Sequence, residues 1–433
     1  MNLELHKITI QKITFGSATH MDNGTLVVNK DELKALLLDD SRLESVEFDV
    51  AHPGEKTRIM PVKDSIEPRC KIDCCGNSGC TEVFPGFIGP VDTVGCGKTL
   101  VLEGMTVLTT GRLVAPQEGI VDMSGPGAEY TPFSKTNNLV IVLTPKANIK
   151  LHEQEATCRI AGFKAAHYLA SKCKETKADK VETFAYPTFT EIAKAHPNLP
   201  KVAYIYMLQS QGLLHDTYVY GVDAKKILPT LISPTEVMDG AIVSGNCVSA
   251  CDKNSTYVHQ NNPIINALYK RHGKDINFVG VVITNENVTL ADKQRSSSYA
   301  VKLAKMIGAE AAVISEEGFG NPDADLVLNC VKAEKLGIKT VLVTDEYAGA
   351  DGASQSLADS CQEGTAVVTA GNANMTIILP PMDKIIGNDA EADIIAGGFF
   401  GSKRPDGSLE VELQAILGST NELGFNKIGA YTI

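Results

Sequence analysis

The sequence contains no tryptophan, an absence that excludes nothing about function. It is also short of positive charge: 40 Lys and Arg stand against 52 Asp and Glu, a formal net charge of −12. Without a surplus of cations to neutralise phosphates, nucleic acid and anionic membrane are excluded as partners, although a local basic pocket for a small anion is not. No run of eighteen or more apolar residues appears, and the opening MNLELHKITIQK lacks the apolar centre of a signal peptide. A soluble, cytoplasmic protein is expected. TVGCGKT, around Cys96, is not a complete G-x4-G-K-[ST] phosphate loop, and no G-x-G-x-x-G opens a helix after a first strand. Nucleotide and dinucleotide cofactors are therefore not expected.

Cysteine, by contrast, is plentiful. Eleven in a chain without a signal sequence read as reduced thiols rather than as a disulfide framework. Four of them, Cys70, Cys74, Cys75 and Cys80, fall within CKIDCCGNSGC. The spacing C-x3-C-C-x4-C departs from the paired C-x2-C of structural metal sites, so a solvated loop with incidental thiols is the expectation and no metal is assigned.

The 433 residues suffice for two or three domains whose cores need no staple. Residues 1–130 read as mainly β, with β-branched runs broken by Gly, Asn and Pro, and one helix at KDELKALLLDD carrying Leu33, Leu36 and Leu37 on one side. Residues 131–246 read as an α/β region. It contains a helix from His152 to Lys174, a buried strand in KVAYIYMLQSQG, and a loop with adjacent His215 and Asp216, either a proton-transfer pair or a local hydrogen-bonding one. DMSGPGAEYTPFSK reads as a tight turn or a loop lining a site.

From residue 247 to 433, strands alternate with helices around Asp292 to Ile307 and Asp323 to Leu336. That pattern predicts a doubly wound, mainly parallel sheet, with polar residues at Thr284 to Asn287, Ser315 to Gly318, Thr344 to Tyr347 and Gly371 to Asn374 on the ligand-binding rim. The fold class expected is α/β: a β-rich N-terminal region, then α/β, ending in that C-terminal sheet.

Between the two halves lies MDGAIVSGNCVSACDKNSTYVHQNNP, residues 238–263. Cys247 directly follows Asn246, so its thiol can face the carbonyl of its own preceding peptide bond. Attack moves the acyl group from nitrogen to sulfur; elimination across Cα–Cβ and hydrolysis then leave a ketoacyl group, a pyruvoyl cofactor, on the new N-terminus. Asn246 supplies the scissile carbonyl, Ser244 and Ser249 are candidate donors to its oxyanion, and His259 is a candidate acid or base whose plainer reading is a hydrogen-bonded structural residue. Gly245 is expected to supply unusual backbone angles. The tripeptide leaves other readings open: a packed or capping thiol, succinimide formation at Asn246, or a metal or redox pair of Cys247 with Cys251.

GLLHDTYVYGVDAKK, PTEVMDGAIVSGNCVSACDKNSTYVHQNNP and INFVGVVITNENV, together with GPGAEYTPFSKTNN, SEEGFGNPD, TDEYAGADGASQSLAD and ILPPMDKIIG, resemble the precursor of the α and β subunits of component B of glycine, sarcosine and betaine reductases. The resemblance spans essentially the whole chain and implies that Cys247 is the pyruvoyl precursor, giving a β chain of residues 1–246 and an α chain of residues 247–433. The activity it implies is selenium-dependent reductive deamination of a small amine towards acetyl phosphate. The implied partners are a selenocysteine-bearing γ subunit of component B, selenoprotein A and, downstream, component C. No selenocysteine occurs in this chain, so it cannot complete that reaction alone. Glycine is the first choice of substrate because its primary amine condenses most simply with a ketone. The rival readings are a D-proline reductase type of pyruvoyl precursor, a scaffold subunit that never cleaves, and a redox or metal protein working through the Cys70 to Cys80 loop.

Overall fold

The structure is a computed structural model that describes residues 1–74, 82–212, 214–245 and 248–425. The fold is mixed α/β, and its largest sheet has six strands. In spatial order these are Thr230–Ile232, Asn277–Asn285, Lys201–Leu208, Ala311–Ser315, Lys339–Glu346 and Val367–Asn372. The last five run parallel, and the edge strand Thr230–Ile232 is antiparallel to its neighbour. Every residue of Asn277–Asn285 is buried, the continuous apolar pattern of a strand covered on both faces.

The sheet expected within residues 247–433 in fact takes two strands from before the junction. Lys201–Leu208 is buried over Ala203–Leu208 and needs a partner on each side. It finds them in Asn277–Asn285 and Ala311–Ser315, both far along the chain. The exchange also runs the other way, because Lys384–Gly387 pairs in parallel with Thr57–Val62 of the N-terminal half.

The two faces of the sheet are covered differently. On one, the helices Leu290–Met306 and Asn321–Lys335 bring Ala300, Val301, Ala304, Leu326 and Ala333 against Ala203, Ile205, Val282 and Ile314. Thr289 caps the first of these helices through the Asp292 amide. On the other face, Tyr204, Tyr206, Val281 and Ile283 share one core with Val258 and Ile265 of two short helices and with Leu3, Val62, Leu108 and Val140 of the N-terminal strands. The β-rich region and the parallel sheet are thus joined through a common hydrophobic interior.

The N-terminal region contributes two four-stranded sheets. One has the order Lys180–Ala185, Asn2–Thr9, Gly97–Glu103, Arg69–Asp73; the other Leu43–Ala51, Asn137–Pro145, Met105–Gly111, Asp64–Ile66. The helix read at KDELKALLLDD is Lys30–Leu38, with Leu33 and Leu37 buried and Asn29 capping it. The long helix Leu151–Ser171 lays its buried stripe across these sheets. Among the described residues, no helix is long and apolar enough to cross a membrane.

Two expectations about cysteine need correction. Cys70 is not on a solvated loop: it lies in Arg69–Asp73, fully buried, with its thiol pushed up to about 12 by burial. Cys74 and Cys96 are disulfide-bonded rather than reduced. Cys75 and Cys80 lie outside the described residues.

Candidate active site

Asn246 and Cys247 themselves lie outside the described residues, and the site is built from what holds their two flanks. Upstream, the strand Ile242–Val243 pairs antiparallel with Tyr218–Val219. Continuing that register sets Gly245 opposite Asp216, where a methyl group on Gly245 would overlap the Asp216 carbonyl oxygen. Glycine is required here by this close approach of two backbones; its φ is not in the left-handed region, contrary to the reason expected. Ser244 is buried, its amide donates to Thr256 Oγ1 (3.1 Å), and its hydroxyl donates to the Gly245 carbonyl (2.6 Å).

The upstream flank rests on the long helix. Lys63, Asp64, Glu155, Arg159, Ser244 and Gly245 line a common cavity of about 10 Å3, room for a single water. Glu155 and Arg159, one turn apart, form a buried pair through Nε–Oε1 (2.9 Å) and Nη2–Oε2 (3.3 Å). Burial alone would raise the Glu155 carboxyl, but the Arg159 charge and the hydrogen bonds from His215 and Arg159 hold it at about 2. Asp64 behaves oppositely. Burial pushes it up to about 6 despite the Thr256 amide (2.9 Å) and hydroxyl (2.7 Å) that donate to it. Its proton therefore exchanges near neutral pH.

Downstream, Val248 and Ser249 open onto a second cavity of about 230 Å3, whose wall includes Gln209, Asp252, Phe319 and Tyr347. The Phe319 and Tyr347 rings stack with centroids 4.0 Å apart. This loop crosses the carboxyl ends of the parallel strands, on the rim expected from the sequence. Asn254 N donates to Glu317 Oε1 (3.3 Å), while Glu317 Oε2 accepts from Gln209 N (3.1 Å) and the Thr217 hydroxyl (2.9 Å). Burial outweighs these donors and lifts Glu317 to about 7.

Cys251, Asp252 and Asp345 place one donor atom each within 4.8 Å of one another, close enough to share a cation. The Cys251 thiol donates to Asp252 Oδ1 (2.6 Å), and Tyr347 donates to Asp252 Oδ2 (3.2 Å). Burial drives both Asp252 and Asp345 upward, because two carboxylates so close in a dry site do not both ionise, and the pair holds a proton.

The two flanks are stitched to each other. Besides the Asp64–Thr256–Ser244 chain, Lys253 Nζ donates to the Lys63 carbonyl (3.1 Å) and Ser65 donates to Ser255 (2.6 Å). His259 is given to Tyr206, whose hydroxyl lies 2.7 Å from Nδ1. Burial lowers the ring to about 3, so His259 is neutral at pH 7. The neighbours His215 and Asp216 do not pair: His215 meets Glu155, and Asp216 meets Lys225 (2.6 Å). Glu155, Arg159 and Asp64 were not singled out from the sequence, whereas Glu317 falls within the Ser315 to Gly318 rim segment. The available signal was Glu155 and Arg159 falling four apart within an otherwise apolar, Ala-rich helical stripe.

The family model for glycine/sarcosine/betaine reductase component B subunits matches residues 1–431. The chain is 60% identical over 434 residues to the glycine reductase complex component B subunits alpha and beta of Acetoanaerobium sticklandii, covering 100% of both chains. It is 58% identical to the protein of the same name from Peptoclostridium acidaminophilum, covering 99% of each. With the sarcosine reductase complex component B subunit alpha of Peptoclostridium acidaminophilum it shares 50% identity over 99% of each. No solved structure matches the chain.

Proposed function

The chain belongs to the glycine/sarcosine/betaine reductase component B family and is part of a reductase complex with other subunits, and we propose that it is a proprotein that cuts itself between Asn246 and Cys247. The observation that carries this reading is a name set against a length. A relative matched end to end at 60% identity is named as two subunits, alpha and beta, in one chain, and two subunits from one chain require a cut. The Asn246-Cys247 step divides this sequence into a β chain of residues 1–246 and an α chain of residues 247–433 that begins with the pyruvoyl group derived from Cys247.

The flanks fit that chemistry. Close approach of Asp216 fixes Gly245, the last described residue before the scissile step. Asp64, poised at about 6 beside Ser244 and Gly245, takes the thiol proton of Cys247, and Ser249 donates to the oxyanion at Asn246. The hydrogen bonds that join Asp64, Lys63 and Ser65 to Thr256, Lys253 and Ser255 keep the two products together.

The 230 Å3 cavity beside Val248 and Ser249 has the size and polar wall for a small amine at the new N-terminus. A pyruvoyl carbonyl supplies an electrophile that draws electrons from the C–N bond of a bound amine. Glycine is the preferred substrate, since identity to the glycine reductase proteins (60% and 58%) exceeds that to the sarcosine reductase protein (50%). A selenocysteine-bearing γ subunit and selenoprotein A complete the reductive deamination, and component C releases acetyl phosphate.

Denaturing electrophoresis tests the reading. Two bands, the smaller labelled by a carbonyl reagent such as a hydrazide, are expected; one intact band unreactive to the reagent leaves a scaffold subunit in its place. Activity with glycine and none with D-proline, in the presence of each partner set, separates it from a D-proline reductase.

A further inference from the structure

A carboxylate taken out of water needs a partner of opposite sign or a proton. Two of the buried ones meet a cation directly: Asp122 is paired with Arg58 (2.7 Å) and Glu118 with Lys63 (2.5 Å). Behind the downstream cavity that pattern fails. Asp252, Glu316, Asp345 and Glu422 are buried close enough for their charges to act on one another, and among the described residues none of them forms an ion pair with a Lys or Arg.

Two segments bring a set of metal-ligating atoms together there. Asp345 stands at the carboxyl end of the parallel strand Lys339–Glu346, and Cys251 and Asp252 lie on the loop after the junction. The Cys251 sulfur, one Asp252 oxygen and one Asp345 oxygen all fall within 4.8 Å of one another. Hydroxyl groups brace the set: Tyr347 donates to Asp252 Oδ2 (3.2 Å) and Thr420 donates to Asp345 Oδ2 (2.8 Å). The other Asp345 oxygen, Oδ1, is buried and receives no hydrogen bond. Neither does Glu422 Oε2, on a carboxyl whose charge acts on both Asp252 and Asp345. Buried polar atoms left without a partner are rare, and a cation is the partner that suits an anionic oxygen.

We propose that Cys251, Asp252 and Asp345 bind a divalent transition-metal ion of the Zn2+ or Fe2+ class. The thiolate selects that class, because Mg2+ and Ca2+ take oxygen donors. The Cys251 thiol proton and the proton shared by the two carboxyls leave as the ion enters. Two protons are exchanged for one dication, so the buried set gains no net charge. Three protein donors leave a tetrahedral ion one further position for water or an anion. Asp252 and Tyr347 also form part of the wall of the 230 Å3 cavity, which gives the ion its way in. The site needs no cut at the junction and stands apart from the pyruvoyl reading.

Purified protein, stripped with a chelator and dialysed against Co2+, is expected to retain one equivalent per chain, with the near-ultraviolet absorption of thiolate-to-cobalt charge transfer. Zn2+ displaces it, and an excess of Mg2+ does not. Cys251→Ser loses the band and binds cobalt at least roughly 100-fold more weakly, and Asp345→Asn weakens binding to a similar extent. Thr420→Val, which removes only the hydroxyl that orients Asp345, weakens it roughly tenfold. Wild type that retains no cobalt overturns the proposal, as does a band that survives in Cys251→Ser or a cobalt ion displaced by Mg2+. The wild-type stoichiometry and band decide the matter even if a variant fails to fold.

Discussion

Upstream of Asn246 the chain ends in a two-residue strand held against Tyr218–Val219, over a small cavity bordered by Lys63 and Arg159. Downstream of Cys247 it enters a loop over an open cavity and a row of buried carboxyls: Asp252, Glu316, Glu317, Asp345 and Glu422. Burial raises all five. The contrast separates two tasks. The upstream side fixes geometry around one titrating carboxyl, Asp64, and two buried cations, Lys63 and Arg159; the downstream side is a crowd of carboxyls that burial keeps protonated. Under the proposed function, a junction that first breaks its own backbone and then handles an amine would use both, on opposite sides of one peptide bond.

The largest effect that would break this comparison is expected from Asp64→Asn. Removing the proton acceptor slows cleavage by roughly 100-fold or more. In wild type the cleavage rate should fall as pH drops through about 6, the value at which Asp64 takes up its proton. Timed gels of freshly expressed precursor at pH 5 to 8 measure both. Gly245→Ala comes next: its methyl overlaps the Asp216 carbonyl, so the strand end shifts, cleavage slows by about 100-fold and stability drops by roughly 1–3 kcal/mol in denaturant titration.

The paired serines sharpen the contrast with a smaller effect. Ser244 already donates to the Gly245 carbonyl, so Ser249→Ala should slow cleavage roughly tenfold more than Ser244→Ala in the same timed gels.

Smallest is the thermal response of Glu317→Gln. Folding raises the Glu317 pKa to about 7 from the ordinary 4.5, so its stabilising contribution is complete below pH 4.5 and lost as pH rises to 7. The variant escapes that loss. Its Tm advantage over wild type should grow by roughly 2–4 °C between pH 5 and pH 8 in scanning calorimetry.

Much of the parallel sheet was legible because buried strands are apolar along their whole length. INFVGVVIT and AAVIS stand out as such runs, and the helix between them shows a 3.6 period. The rim residues followed from topology alone. The place of Lys201–Leu208 was not legible: a strand's neighbours in a sheet are set by long-range packing that local pattern does not encode.

Within the site, the sequence pointed to the junction and to Ser244 and Ser249 on its flanks. It did not reveal Arg159 and Glu155, since an Arg and a Glu four apart on a helix ordinarily face water and are buried here only because each neutralises the other. His215 and Asp216 are adjacent but do not pair: His215 meets Glu155, and Asp216 meets Lys225 and accepts from the Gly212 amide, a local role the sequence had left open. The disulfide-bonded state of Cys74 and Cys96 is not something that counting cysteines in a chain without a signal sequence supplies.

The proposed function turns on whether the peptide bond before Cys247 is broken and its sulfur lost. Intact mass spectrometry of the freshly purified protein, with the first residue of the smaller chain identified, measures this directly. Two chains are predicted, residues 1–246 and a smaller one beginning at position 247 with a ketone in place of the amine and thiol. A single chain of 433 residues that retains the Cys247 thiol in active protein would contradict it.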